Sequence, residues 1–529
     1  MRPKQLLVYL AVLVLAASFK SAALAVTLKV ANQGDVRSMD PHSLFEGLQL
    51  SFVANIYEPL VSRDKDMSLV PALATNWSQV SPTLWRFELR RGVTFHDGTP
   101  FDADDVIFSF ERAAGEGSDI KSVTAPIKAV RKVDTSTVEI ETAEPMPVLP
   151  TTLTILMMMS KRWCEINHTE RPADVKKGVE STASFKANGT GPFRLKERQP
   201  GTHTVLVRNF AYWGKVDGNV DEVVFTPIGN DATRVAGLLS GEIDLMEPVP
   251  LQDVDVLKHR GLSVLQGPEL RTIFVGMDQK RDELLYSDVK GRNPFKDKLV
   301  RRALYLAIDV ESLRTRVMRN AAAPTALMVG PGVQGFQADM NKRLPFDPEA
   351  AKRLLADAGY PNGFEVTMNC PNDRYVNDAA VCQAIAANLA RVGVKVDVKT
   401  ESKVTYLPRL LRRETSMYLL GWTPATTDAG DSLFNLIATP KENGRGQYNI
   451  GTYSNARVDD LTDLIQSELN YSKRNLMIRE AFRIHQDDIG HIPLYQQALA
   501  WGFNSWIDLV QLPNNQMFFK WVTVAAERR

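Results

Sequence analysis

Trp85, Phe87 and Leu89 alternate with Arg86, Glu88 and Arg90, and this period of two predicts a half-buried strand. Asp97-Gly98 marks a turn. Asp102 then caps a helix whose first turn carries Asp104 and Asp105, where the helix dipole favours anions. Val106, Phe110 and Ala113 fall on one face of it. Val138 and Ile140 alternate in the same way after a turn at 134–136. Upstream, Leu28 and Val30 read as a short strand, and residues 48–60 as a helix ending near Pro59. Residues 188–193 open a hairpin whose far strand holds Val205 and Val207, after a turn at Pro200-Gly201. Val223 and Phe225 mark another strand. A helix capped by Asn230 or Asp231 follows, ends at Gly241, and leads to a strand at 243–246.

The second half of the chain carries the clearest supersecondary unit. Val366, Met368 and Cys370 alternate as a strand, residues 378–391 form a helix with Val381, Ile385 and Leu389 inward, and Val394, Val396 and Val398 form a second strand. That is the length a parallel crossover needs. Before it, Asp347 and Pro348 start a helix whose stripe is Ala351, Leu354, Leu355 and Ala358, with Gly359 as a left-handed stop. Helices at 458–489 precede a return strand at 491–495. The fold class is therefore α/β. The chain is expected to cross between lobes near 271–277 and again near 492–501. Lobe I is then 26–273, with an extra subdomain at about 70–185; lobe II is 274–495; and 496–529 return to lobe I. A cleft between the lobes follows from this topology.

Composition adds an address. Arg2 and Lys4, the apolar run 6–19 and Ala23-Leu24-Ala25 make an export leader, with cleavage expected after Ala25. The apolar run is short for a membrane span. Removing Arg2, Lys4 and Lys20 from the 63 basic residues leaves 60 against 62 acidic ones. A net charge of about −2 gives no electrostatic case for nucleic acid or anionic membranes. Of three cysteines, Cys370 and Cys382 flank one loop and either form a disulfide or stay as two buried thiols; Cys164 is left over. No Cys/His cluster has zinc spacing, and His485 and His491, six apart, do not share a helical face. G-x-S-x-G, H-E-x-x-H, P-loop and C-x-x-C patterns are all missing from the sequence, so nothing argues for a hydrolase.

The run from Leu89 to Arg112 resembles the signature of the family 5 extracellular solute-binding proteins, receptors of peptide and nickel-complex ABC importers. Ser38-Met39-Asp40-Pro41, Asn55-Ile56-Tyr57-Glu58-Pro59-Leu60, Gly189-Thr190-Gly191-Pro192, Tyr212-Trp213-Gly214, Gly421-Trp422-Thr423 and Ile492-Pro493-Leu494-Tyr495 are similar to further family motifs in the same order. The resemblance implies the large, three-subdomain, type II periplasmic-binding-protein fold, with lobes that close on a ligand about a hinge. It implies a monomer in the periplasm that docks on a membrane permease, with no cofactor and no catalysis. A di- or oligopeptide is the expected ligand; a metal chelate, an oligosaccharide or an opine are the alternatives.

Candidate ligand residues follow from position and likeness. Arg374 sits in the loop between strand and helix of the crossover unit, at the carboxyl end of a strand, where α/β folds gather ligands. In dipeptide-binding members an Arg in the matching loop holds the ligand's carboxylate; the alternative is a surface Arg paired with Asp373 or Asp378. Tyr375 is its neighbour. Trp422, followed by Thr423, matches the family's cleft tryptophan, against a reading as core packing. Those members carry an Asp three residues later to hold the ligand's amine; here the position is Ala425, the next acids are Asp428 and Asp431, of which Asp428 is the expected contact against a reading as a turn or cap carboxylate, and the alternative is a ligand without a free amine. Gly189 and Thr190 are expected to line the cleft from lobe I, against a reading as a simple hairpin turn, and Phe45 and Tyr448 are further aromatic loop candidates, against a reading as packing.

Overall fold

The computed structural model describes residues 25–372, 374–424, 426–441 and 444–525. Apart from Ala25, the leader lies outside the described residues, as do Asp373 and Ala425.

One mixed sheet of eleven strands runs through the whole molecule. At one end, Val394–Glu401 and Phe364–Pro371 pair in parallel and Met417–Trp422 joins them. At the other end, Leu245–Glu247, Thr27–Asn32, Glu222–Pro227, His203–Arg208 and Phe193–Gln199 lie side by side. Two long strands join the ends. Ser263–Met277 pairs antiparallel with Ile492–Phe503, from Ser263 opposite Phe503 to Val275 opposite Ile492. The register breaks between Pro268 and Thr272. Such an irregularity bends a strand and re-aims its side chains, here those of Glu269 and Arg271. A separate four-stranded antiparallel sheet is built from Ala74–Ser81, Leu84–Leu89, Thr137–Thr142 and Ile127–Asp134.

The predicted alternations hold where one strand face is buried. Trp85, Phe87, Leu89, Val138 and Ile140 are all inward. Asp102 caps Ala103–Ala114 as part of a capping box with Asp105. Asn230, not Asp231, caps Asp231–Ser240, and Gly241 closes it with φ of 77°. The crossover unit forms as read, with Asp378–Ala390 between its parallel strands.

The helix expected over 48–60 is only Gly47–Val53. The carbonyls that would continue it are already taken. Asn55 and Ile56 accept the N–H groups of Phe193 and Gly191. The Asn55 amide bonds the carbonyls of Ser51 and Met517, and its oxygen accepts the Phe519 N–H. This side chain thus ties the C-terminal segment to the first half, where Met517, Phe519, Val522 and Val524 share a core with Val26 and Leu28. His485 and His491, far apart on any helical wheel, meet in the fold: their Nε2 and Nδ1 lie 3.0 Å apart in the interior. Burial keeps both neutral, His485 pushed down to about 3.

Candidate functional site

A cavity of about 1530 Å³ opens where the two halves of the sheet meet. Its floor is the irregular stretch of the crossing strands, through Glu269, Arg271 and Gln497. One wall comes from the crossover loop and the strand beside it, through Arg374, Tyr375 and Thr423. The facing wall comes from the first half and includes Phe45, Glu58 and Glu247. The walls touch directly where the Arg63 guanidinium donates to the Thr427 hydroxyl.

The Arg374 loop is held by its own backbone and by the floor. Asp378 accepts the N–H groups of Arg374 and Tyr375, each at 3.0 Å, so its carboxylate is engaged with the loop backbone rather than the guanidinium. The Val376 N–H donates to Gln497, whose amide donates to Glu269. The Tyr375 hydroxyl accepts the Gly421 N–H at 2.9 Å, fixing the loop to Met417–Trp422. Arg374 itself is exposed, and its Nε donates to the Tyr375 hydroxyl at 3.1 Å. No ion pair is formed by this guanidinium among the described residues. A disulfide between Cys370 and Cys382 closes the base of the loop. Replacing both cysteines by alanine is expected to cost about 3 kcal/mol of unfolding free energy from loop-closure entropy. A urea midpoint equal to that of the parent chain would show that the bond adds nothing.

Five expected residues stand elsewhere. Asp428 does not reach the cavity. It is 1% exposed, caps Ala429–Ser432, and both its oxygens are taken by Arg474, at 2.6 and 2.8 Å. Arg474, on Tyr471–Asp488, thus consumes the charge. Trp422 turns away from the cavity: its indole N–H donates to Asp431 and its ring packs 4.9 Å from Tyr448. Both rings belong to the apolar cluster of the second half. Only Thr423 from this motif lines the cavity, and its hydroxyl accepts from Arg271.

Gly189 and Thr190 stand behind the wall, not in it. A Cβ on Gly189 would lie 2.0 Å from the Ile56 carbonyl oxygen, so only glycine permits this approach. Thr190 donates to Glu58, as do the Tyr212 hydroxyl and the Trp213 indole, at 2.7–2.8 Å. Burial raises the Glu58 carboxyl against these three bonds. Three separate sequence motifs thus converge on one buried carboxylate.

Sequence reading missed Glu247, Glu269 and Arg271, which come from stretches with no motif. Glu269 pairs with Arg271 at 3.1 Å, and burial raises its carboxyl against the pull of Arg271 and Arg374. Glu247 is raised to about 7 by burial, opposed by bonds from Asn515 and Asn32.

A family model described as bacterial extracellular solute-binding proteins, family 5 Middle, matches residues 68–444. The chain belongs to this family. Family 5 proteins are ligand-binding receptors of transport systems. The glutathione-binding protein GsiB of Salmonella choleraesuis is 27% identical over 520 residues, 95% of this chain and 92% of that one. The ABC transporter-associated periplasmic binding protein DppA of Helicobacter pylori, solved with the peptide STSA, is 25% identical with a TM-score of 0.74, covering 94% of this chain and 98% of that one. HbpA2 of Haemophilus parasuis superposes with a TM-score of 0.81 at 23% identity, over 94% of this chain and all of that one. The two-lobed fold of these proteins is the fold of this family 5 chain. None of its described helices is long and apolar enough to cross a membrane, and no described group of three or more His, Cys, Asp or Glu residues is arranged to hold a metal ion.

Proposed function

We propose that this family 5 receptor is exported to the periplasm, closes its lobes on a short peptide, and delivers it unchanged to an ABC permease. In this reading lobe I is 26–273 with 496–529, lobe II is 274–495, and the crossing strands are the hinge. The observation that carries it is the cavity itself, with Arg374 on one wall and buried carboxylates on the floor and facing wall. A volume above the roughly 300–1,000 Å³ of drug-sized pockets suits a ligand of several residues. Glutathione and a peptide, named for two of the relatives, are ligands of that kind.

Arg374 takes the peptide carboxylate, because a guanidinium offers paired N–H donors and this one has no carboxylate partner among the described residues. Tyr375, Thr423 and Phe45 complete the contact surface, and Trp422 and Tyr448 support Thr423 from behind. The receptor works as a monomer, after cleavage past Ala25.

Native mass spectrometry of the exported protein, followed by analysis of what denaturation releases, tests this. The expected result is a mixture of short peptides. Release of a single non-peptide compound would keep the receptor role and move the function to uptake of that compound.

A further inference from the structure

The expected amine contacts do not serve: Asp428 is consumed by Arg474, and Ala425 carries no charge. We infer that Glu247, on the wall opposite Arg374, holds the ammonium group of the ligand. This rests on the peptide reading of the cavity and names the second half of its recognition.

Among the described acids that line the cavity, those that are buried differ in what neutralises them. Glu269 has Arg271 at 3.1 Å. Glu58 has three neutral donors, with the Lys520 ammonium acting on it as well. Glu247 is 9% exposed and makes no ion pair with any described lysine or arginine. Its neighbours are two amides fixed as donors. Asn515 accepts the Trp501 indole N–H on its oxygen, so its NH₂ faces Glu247, at 2.7 Å. Asn32 accepts the Gly34 N–H on its oxygen, so its NH₂ is also what it offers Glu247. Two donors and no acceptor suit a carboxylate and not a carboxylic acid. The charges that act on it most, Glu269 and Glu46, are both negative. A buried anion with fixed donors and like-charged neighbours lacks one element, a cation, and the cavity it lines is where a ligand brings one.

The geometry also sets a direction. Glu269 lies within electrostatic range of both Arg374 and Glu247. A zwitterion laid across the floor puts its carboxylate at Arg374 and its ammonium at Glu247, with the Glu269–Arg271 pair between.

Trialanine and N-acetyl-trialanine distinguish the outcomes by titration calorimetry, since acetylation removes the ammonium and keeps the carboxylate. The parent chain is expected to prefer trialanine by about 10- to 100-fold, as for a charge-assisted contact. Glu247→Gln keeps the size and one acceptor oxygen for the amide donors, and is expected to abolish that preference. A second readout needs no variant. Glu247 titrates near 7 in the empty chain, so an arriving ammonium expels its proton. At pH 7 the parent chain is expected to release up to about half a proton per trialanine, read from two buffers of different ionisation enthalpy. Equal binding of the two peptides, or no proton release, overturns the inference and leaves the peptide reading intact. Failure of both peptides to bind the parent chain overturns the two together.

Discussion

Arg112→Met is expected to lower the unfolding free energy by about 3–5 kcal/mol, the cost of leaving one partner of a buried ion pair alone. Both side chains of the Arg112–Asp40 pair are fully buried. The guanidinium meets both Asp40 oxygens, at 2.8 and 2.6 Å, and donates to the Thr169 carbonyl at 3.0 Å. Burial pushes the Asp40 carboxyl up, but Arg112 outweighs it and holds the carboxyl below its ordinary value. Methionine fills the space and supplies no donor, so Asp40 must remain charged without a partner or take up a proton.

That choice gives the prediction a pH signature. In the parent chain the depressed carboxyl contributes stability above its unfolded value, lost as pH falls through the folded one. In the variant the carboxyl is raised, so falling pH neutralises it and relieves the defect. The gap between the two urea midpoints is therefore expected to be largest at pH 7 and to narrow towards pH 4. Adding Asp40→Leu to Arg112→Met is expected to recover much of the loss, because no charge then remains buried. A single variant with the parent's midpoint at pH 7 would show that the pair carries no net stability.

The same residue explains what was legible in the sequence. Arg112 closes the signature run, and Asp40 belongs to the motif near the mature start; each was readable as a motif, and their contact across 72 residues was not. Strands with one buried face, such as Leu84–Leu89, announced themselves by alternation. Ser263–Met277 did not, because Gly267-Pro268 interrupts it and reads as a breaker. Met417–Trp422 is nearly all apolar and has no period to read. Glu269 and Arg271 of the cavity floor lie on Ser263–Met277, so they were invisible before the fold. Asp428 failed in the opposite way. It looked available because its partner, Arg474, lies 46 residues on, within the helices read at 458–489. Arg374 was placed by a local rule, strand then loop then helix, and local rules survive when long-range pairing is unknown.

Arg374→Ala is expected to weaken binding of a peptide with a free C-terminal carboxylate by about 2–5 kcal/mol, the cost of truncating one partner of a desolvated charge pair. The effect on folding is expected to be small, because the side chain is exposed and the loop is held by Asp378, Gln497 and the disulfide rather than by the guanidinium. Arg271 cannot substitute, since Glu269 and Thr423 already engage it. The comparison that isolates the contact is trialanine against trialanine amide in calorimetry. The parent chain is expected to bind the amide weakly and the variant to treat both alike, because the carboxylate has lost its only dedicated partner. Arg374→Lys keeps the charge and loses the paired donors, so an intermediate affinity is expected. An unchanged affinity of Arg374→Ala for trialanine would remove this residue from the site and return the carboxylate to Arg63 or Arg37, the other guanidiniums that line the cavity without a described carboxylate partner.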